Sequence, residues 1–313
     1  MGSEMCIRDR NLTDMTPLQL IIKREYLQDV CNRSFWIGTF VLPVLILGFG
    51  FFIGFMAKDS DTLNGFASMG QHQPDDLSMI QLFGLLSAMF LIIFLMVYGA
   101  MIFNKVKAEK TNRIMEMLAS TVSGRTMMLG KVISVALTGF TQMLVWLLLI
   151  VTGMVVIITA LGASDLLHFL FDPKLWTGLL LMLIYFIGGY LLFGSLYAMV
   201  GAMTDKDNEN QGYITILTFM LMASFYISSY AIDNPDSALT FWSSFIPLTS
   251  PSIGAMTAIS GIMPWWQVII SILILYATAW GCVILSGKIY TSAMLLNGTK
   301  FSPRDILVFL RAK

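Results

Sequence analysis

The sequence predicts an all-α polytopic membrane protein: six transmembrane helices with both termini in the cytoplasm. Three observations predict it. The 313 residues are 57% hydrophobic and only 12% charged, whereas soluble domains carry roughly 25% charged residues. The apolar residues are gathered in blocks, giving a mean hydropathy of +0.76. Lys and Arg are concentrated in alternate connecting segments.

In chain order the predicted spans are 35–57 (FWIGTFVLPVLILGFGFFIGFMA), 79–103, 132–161, 176–203, 212–232 and 266–287. Each is long enough to cross a hydrocarbon core of about 30 Å, which takes roughly 20 residues of helix. None of these ranges contains Asp, Glu, Lys, Arg or His. The range 132–161 is longer than a crossing needs, so it tilts or its ends leave the bilayer. The segments before 35, at 104–131, at 204–211 and after 287 hold 17 Lys and Arg, against two, Lys58 and Lys174, in the others. The positive-inside rule therefore places both termini in the cytoplasm.

Among the outside segments, 233–265 (DNPDSALTFWSSFIPLTSPSIGAMTAISGIMPW) is too apolar for a solvated loop. Pro247, Pro251 and Pro264 would interrupt one continuous helix. Short helices that re-enter the outer leaflet are expected; a loop lying flat at the interface is the alternative. Irregular backbone at membrane depth must be buried in protein or line a wet cavity. Gly50 and Gly54 in the first span, and Gly194, Ala198 and Ala202 in the fourth, form small-residue stripes. Such stripes let helix backbones approach closely.

Several chemistries lack support. Ionisable groups are costly inside a membrane and are rarely kept there without use, so their absence from the spans disfavours proton-coupled carriers and intramembrane aspartyl proteases. HExxH and GxSxG motifs are absent. Three cysteines and two histidines give neither a disulfide framework nor a metal-ligand spacing. A sodium path built from hydroxyls and carbonyls stays open, with Thr138, Thr141, Gln142 and Tyr197 as polar groups; bonds to backbone or neighbouring helices explain the same residues. GRTMMLGKV (124–132) misses a phosphate loop, because five residues separate Gly124 from Gly130 and Val132 follows Lys131. Any nucleotide chemistry belongs to another chain.

The stretch KVKAEKTNRIMEMLASTVSGRTMMLGK (105–131) holds six Lys or Arg. Glu109 and Arg113 are spaced for a helical ion pair. Ile114, Met117 and Leu118 share one face, and Ser120, Ser123 and Gly124 follow as breakers. A short amphipathic helix of this kind docks in a partner's groove or lies on an anionic leaflet. The residues alone leave those two equal.

Four segments carry a resemblance. REYLQDVCNRSFWIGTFVLPVLILG (24–48) resembles the entry to the first span of type-2 ABC exporter permeases, in the NatB-like sodium-efflux-permease branch. EKTNRIMEMLASTVSGRTMMLGK (109–131) is similar to that family's most recognisable segment, with Glu109, Asn112, Arg113, Glu116, Gly130 and Lys131 in the expected places. IPLTSPSIGAM (246–256) resembles its proline-serine re-entrant element, and LNGTKFSPRDILVFLR (296–311) its C-terminal amphipathic tail. Many members carry a large extracytoplasmic domain between the first two spans; here that loop, 58–78, has 21 residues.

The resemblance implies a division of the chain. Residues 15–34 would form a cytoplasmic elbow helix. Residues 35–287 would be the transmembrane domain with coupling loop 104–131, and 288–313 a cytoplasmic tail. Residues 1–14 include MGSEMCIRDR, which resembles translated sequencing-adapter sequence, and Met15 is the expected natural start. The ATPase-coupling residues would be Glu109, Asn112, Arg113, Ile114, Glu116, Met117 and Leu118. Asp205, Lys206, Asp207 and Glu209 would make a second cytoplasmic contact, and Pro247, Ser250 and Pro251 would build the re-entrant element. The implied function is that of a non-enzymatic exporter subunit in a bacterial inner membrane. Two copies of a separate ATPase, carrying ATP and magnesium, would power it, and a second permease subunit, identical or different, would pair with it. This chain would bind no cofactor itself. A stand-alone channel or membrane scaffold with no ATPase is the competing expectation.

Overall fold

A computed structural model describes residues 16–33, 35–41, 43, 44, 48, 76–111, 123–161, 173–204 and 211–295. Among these, all regular structure is helical. We number the helices α1 (Pro17–Val30), α2 (Asp76–Thr111), α3 (Gly124–Leu161), α4 (Pro173–Met203), α5 (Gln211–Asp233), α6 (Ala238–Phe245), α7 (Ser250–Ile259) and α8 (Trp265–Leu295). Five stretches, within α2, α3, α4, α5 and α8, are long and apolar enough to cross a membrane. They coincide with the second to sixth predicted spans. The first predicted span is helical at 35–41, 43, 44 and 48, and its remainder lies outside the described residues.

Local chemistry sets several boundaries. Thr16 starts α1 through a capping box with Gln19, and Pro17 occupies the first turn, where its missing N–H costs nothing. Ser237 caps α6 by accepting a hydrogen bond from the Thr240 amide at 3.2 Å. α7 ends at Gly261, whose φ of +68° suits a residue without Cβ. There the Ile262 amide bonds the Thr257 carbonyl at 3.0 Å and the Gly261 amide bonds that of Ala258 at 3.3 Å. This is a Schellman end, which turns the chain into α8.

The core forms around α2 and α4. Phe94 of α2 packs edge-on against Trp146 of α3, with ring centroids 5.3 Å apart, and against Phe186 of α4 at 5.9 Å. The stripe on α4 does the work its small residues suit. A Cβ on Gly194 would lie 3.1 Å from Ile102, and one on Gly201 would lie 3.0 Å from the Phe103 carbonyl. The stripe therefore joins α4 to α2 within this subunit. Trp146 Nε1 donates to the Thr39 carbonyl at 2.8 Å, which fixes the described start of the first predicted span against α3.

Helix ends differ from the predicted span limits. α2 continues to Thr111 and α3 begins at Gly124, so 104–111 and 124–131, read as parts of a loop, are helical. Lys105, Glu109 and Lys131 continue the helices because they find partners inside the bundle. At the opposite end, α6 and α7 fill the segment 233–265 with a proline-containing turn between them. α7 is almost wholly buried, packed against α2, α4 and α5.

Candidate functional site

α1 packs along the start of α3 and reaches the end of α2 through side chains, and its sequence looks poorly amphipathic for a physical reason. Its one fully buried residue is Asp29, an acid on the face that enters the bundle. Glu25, one turn earlier, faces the same way. α1 reaches α3 closely at Gly130, where a Cβ would sit 2.6 Å from Ile21 Cγ2. The Tyr26 and Thr141 hydroxyls share a hydrogen bond of 2.9 Å that ties the two helices again about three turns further along α3.

Glu25 and Asp29 meet two lysines. Lys105 Nζ of α2 donates to Glu25 Oε2 at 3.0 Å and to Asp29 Oδ2 at 2.7 Å. Lys131 Nζ of α3 lies 2.5 Å from Glu109 Oε1 and 3.6 Å from Glu25 Oε1. Tyr290 of α8 donates to the other Glu109 oxygen at 2.9 Å. Thr138 of α3 donates to Asp29 Oδ2 at 3.3 Å. Three carboxylates and two ammonium groups thus form one continuous network through α1, α2, α3 and α8. Lys131 is only 2% exposed. An ammonium so deeply buried is tolerated only when paired and hydrogen-bonded.

The two acids of α1 are tuned in opposite directions. Burial pushes the Glu25 carboxyl up, but the charges of Lys131 and Lys105 outweigh it and hold the group below the ordinary glutamate value. At Asp29 burial wins over the hydrogen bond and charge of Lys105, and the carboxyl sits above the ordinary aspartate value. The acids are engaged by lysines, and among the described residues no group of three His, Cys, Asp or Glu could hold a metal ion. The arrangement locks α1, α2 and α3 together through charges and ties α8 to them through the Tyr290–Glu109 hydrogen bond.

Of the coupling residues expected from sequence, Glu109 is in this network. Asn112, Arg113, Ile114, Glu116, Met117 and Leu118 lie outside the described residues, as do Asp205, Lys206, Asp207 and Glu209. The network nevertheless bears on 112–118, because Glu109 and Lys131 bind together the two helices between which that segment runs. Pro247, Ser250 and Pro251 are far from it, in the turn between α6 and α7 and the start of α7. Ser250 and Pro251 are buried there, and Pro251 fits against Gly189, whose Cβ would lie 2.8 Å from the proline ring. Thr138 and Thr141 bond carbonyls of their own helix, at 3.0 and 2.8 Å, as well as α1 side chains. Gln142 accepts from Tyr98.

Glu25, Asp29, Lys105 and Tyr290 were not singled out from the sequence. One signal existed: Glu25 with Asp29, and Lys105 with Glu109, are spaced four apart on helices that flank apolar runs, a spacing that puts both members on one face.

A family model described as "ABC-2 family transporter protein" matches residues 68–288. The uncharacterised protein YhaP of Bacillus subtilis (strain 168) is 28% identical over 239 residues, 74% of this chain and 56% of its own length. The uncharacterised protein MJ1024 of Methanocaldococcus jannaschii is 24% identical over 215 residues, 69% of this chain and 50% of its own length. The chain thus spans about half the length of these curated relatives. No solved structure matches it.

Proposed function

The chain belongs to the ABC-2 family of transporter proteins, and from that premise we propose that it is the permease subunit of an ATP-driven exporter, in the NatB-like sodium-efflux-permease branch. In this reading it sits in a bacterial inner membrane with the lysine-rich end in the cytoplasm. It pairs with a second permease subunit, identical or different, and with two copies of a separate ATPase that carry ATP and magnesium. Substrate leaves by alternating access. In this reading the stretch 109–121 couples to a cleft of the ATPase, and Asp205, Lys206, Asp207 and Glu209 make a second contact.

One observation carries this reading. The ionic network binds the helix before 112–118 to the helix after it, and both to α1 and α8. A push on that segment would move four helices as a unit. A solvated loop would have no need of a lysine buried to 2% exposure at its root. The test is charge placed on the apolar face of the coupling segment. Leu118→Arg or Ile114→Asp should leave membrane insertion intact and uncouple ATP hydrolysis from transport, measured in proteoliposomes with the ATPase present. Transport continuing unchanged would remove the coupling role from 112–118.

A further inference from the structure

The end of the bundle opposite the ionic network has its polarity reversed. α6 buries Thr240, Ser243 and Ser244 and turns Leu239, Phe241, Trp242 and Ile246 outward, Trp242 being 64% exposed. A surface helix in water has the opposite arrangement. The buried hydroxyls are satisfied within the protein. Thr240 donates to the Asn234 carbonyl at 2.9 Å, Ser243 to that of Thr240 at 3.2 Å, and Ser244 to that of Phe241 at 2.7 Å. The outward face continues into Trp265 and Trp266, 66% and 53% exposed, at the start of the membrane-spanning helix α8. Tryptophan is enriched at such span ends, where headgroups begin.

Behind this face lies a cavity of about 200 Å³ between the α5–α6 turn and the α7–α8 turn, lined by Asp236, Thr240, Phe241, Met263 and Gln267 among others. Asp236 is the one charged residue among those lining it. Gln267 is buried and gives one N–H of its Nε2 to Ser244 Oγ at 2.9 Å; its Oε1 is an acceptor. Phe241 presents an aromatic ring next to Trp266, with centroids 6.5 Å apart. A carboxylate, a carbonyl acceptor and an aromatic ring together suit an ammonium group with N–H donors.

We propose that this end of the protein binds a phospholipid bearing a primary ammonium. Its acyl chains lie along the outward face of α6 and the start of α8, and its ammonium enters the cavity toward Asp236 and Gln267. A lipid is the occupant because the face is continuous with the exposed apolar surface of α8, where Leu273 is 64% and Trp280 68% exposed. The inference rests on the chain spanning a membrane and not on an ATPase partner, so it stands or falls apart from the exporter reading.

The test is native mass spectrometry of the full chain, delipidated in detergent. Phosphatidylethanolamine and phosphatidylcholine of matched acyl chains are added; they differ in whether the ammonium carries N–H groups. Phosphatidylethanolamine should be retained about tenfold better, the scale of a charge-assisted hydrogen bond. Asp236→Asn, at an exposed turn position, should bring the two lipids to near equality. Trp242→Ala should weaken retention of both while keeping their ratio. Equal retention by the unaltered protein, or a preference that survives Asp236→Asn, would overturn the proposal. So would displacement of the lipid by free ethanolamine alone, which would mark a soluble-amine site, or a loss of dimer mass in Trp242→Ala with lipid retention unchanged.

Discussion

At the scale of single residues Lys131 holds the ionic network together. Its ammonium serves two carboxylates, Glu109 and Glu25, from a position with almost no contact with water. Lys131→Met would leave both acids facing each other with one fewer cation, and breaking a buried pair from one side costs about 3–5 kcal/mol. Thermal unfolding in detergent should show that loss, and Lys131→Arg should recover most of it because the charge remains. A melting temperature unmoved by Lys131→Met would mean that the network carries no stability. The pH response divides between the two acids of α1. The Glu25 value is depressed on folding, so its contribution is present above the ordinary glutamate range and is lost as pH falls through the depressed value. The Asp29 value is raised, so its charged form costs stability as pH rises from the ordinary aspartate range through the raised value. Asp29→Asn should therefore compare better with the unaltered protein at pH 8 than at pH 4, and Glu25→Gln should show the reverse trend. Parallel pH profiles for the two variants would contradict the opposed tuning.

At the scale of elements, the crossing of α1 over α3 depends on Gly130. A valine there would push against Ile21 and cost about 1–3 kcal/mol, the usual range for overpacking. Ile21→Ala in the same chain should restore part of it, since the clash is with that side chain. Failure of the second change to rescue the first, read by the same unfolding measurement, would mean that the glycine serves another purpose. Elements also show what a sequence can and cannot reveal here. The second to sixth predicted spans were legible because twenty apolar residues in a row have few other fates. Their ends were not, because Lys105, Glu109 and Lys131 read as solvent-seeking until partners from other helices are known. Glu109 and Lys131 were reached through the resemblance of the segment 109–131. Glu25 and Asp29 were missed because α1 buries an acid where an amphipathic reading looks for a leucine. The partners in the network come from positions as far apart as 25 and 290, and no local pattern connects them. The short helices α6 and α7 were readable from prolines in an apolar segment, but the inward turn of α6's hydroxyls shows only in three dimensions.

At the scale of the whole molecule, the two ends of the bundle are built for different solvents. One end gathers charge and α1 around the roots of α2 and α3. The other hides hydroxyls and displays tryptophan. In the proposed function the first end takes up motion and the second stays in the membrane while substrate passes. In that proposed function an ATPase docks at the charged end. The measurement that tests it most directly is mild-detergent purification of the chain from its native membranes, with identification and ATPase assay of what comes with it. A stoichiometric ATPase whose association is lost on Leu118→Arg is the predicted result. A permease that purifies alone, in a detergent shown to preserve other ABC complexes, would contradict it and point to a stand-alone channel or scaffold.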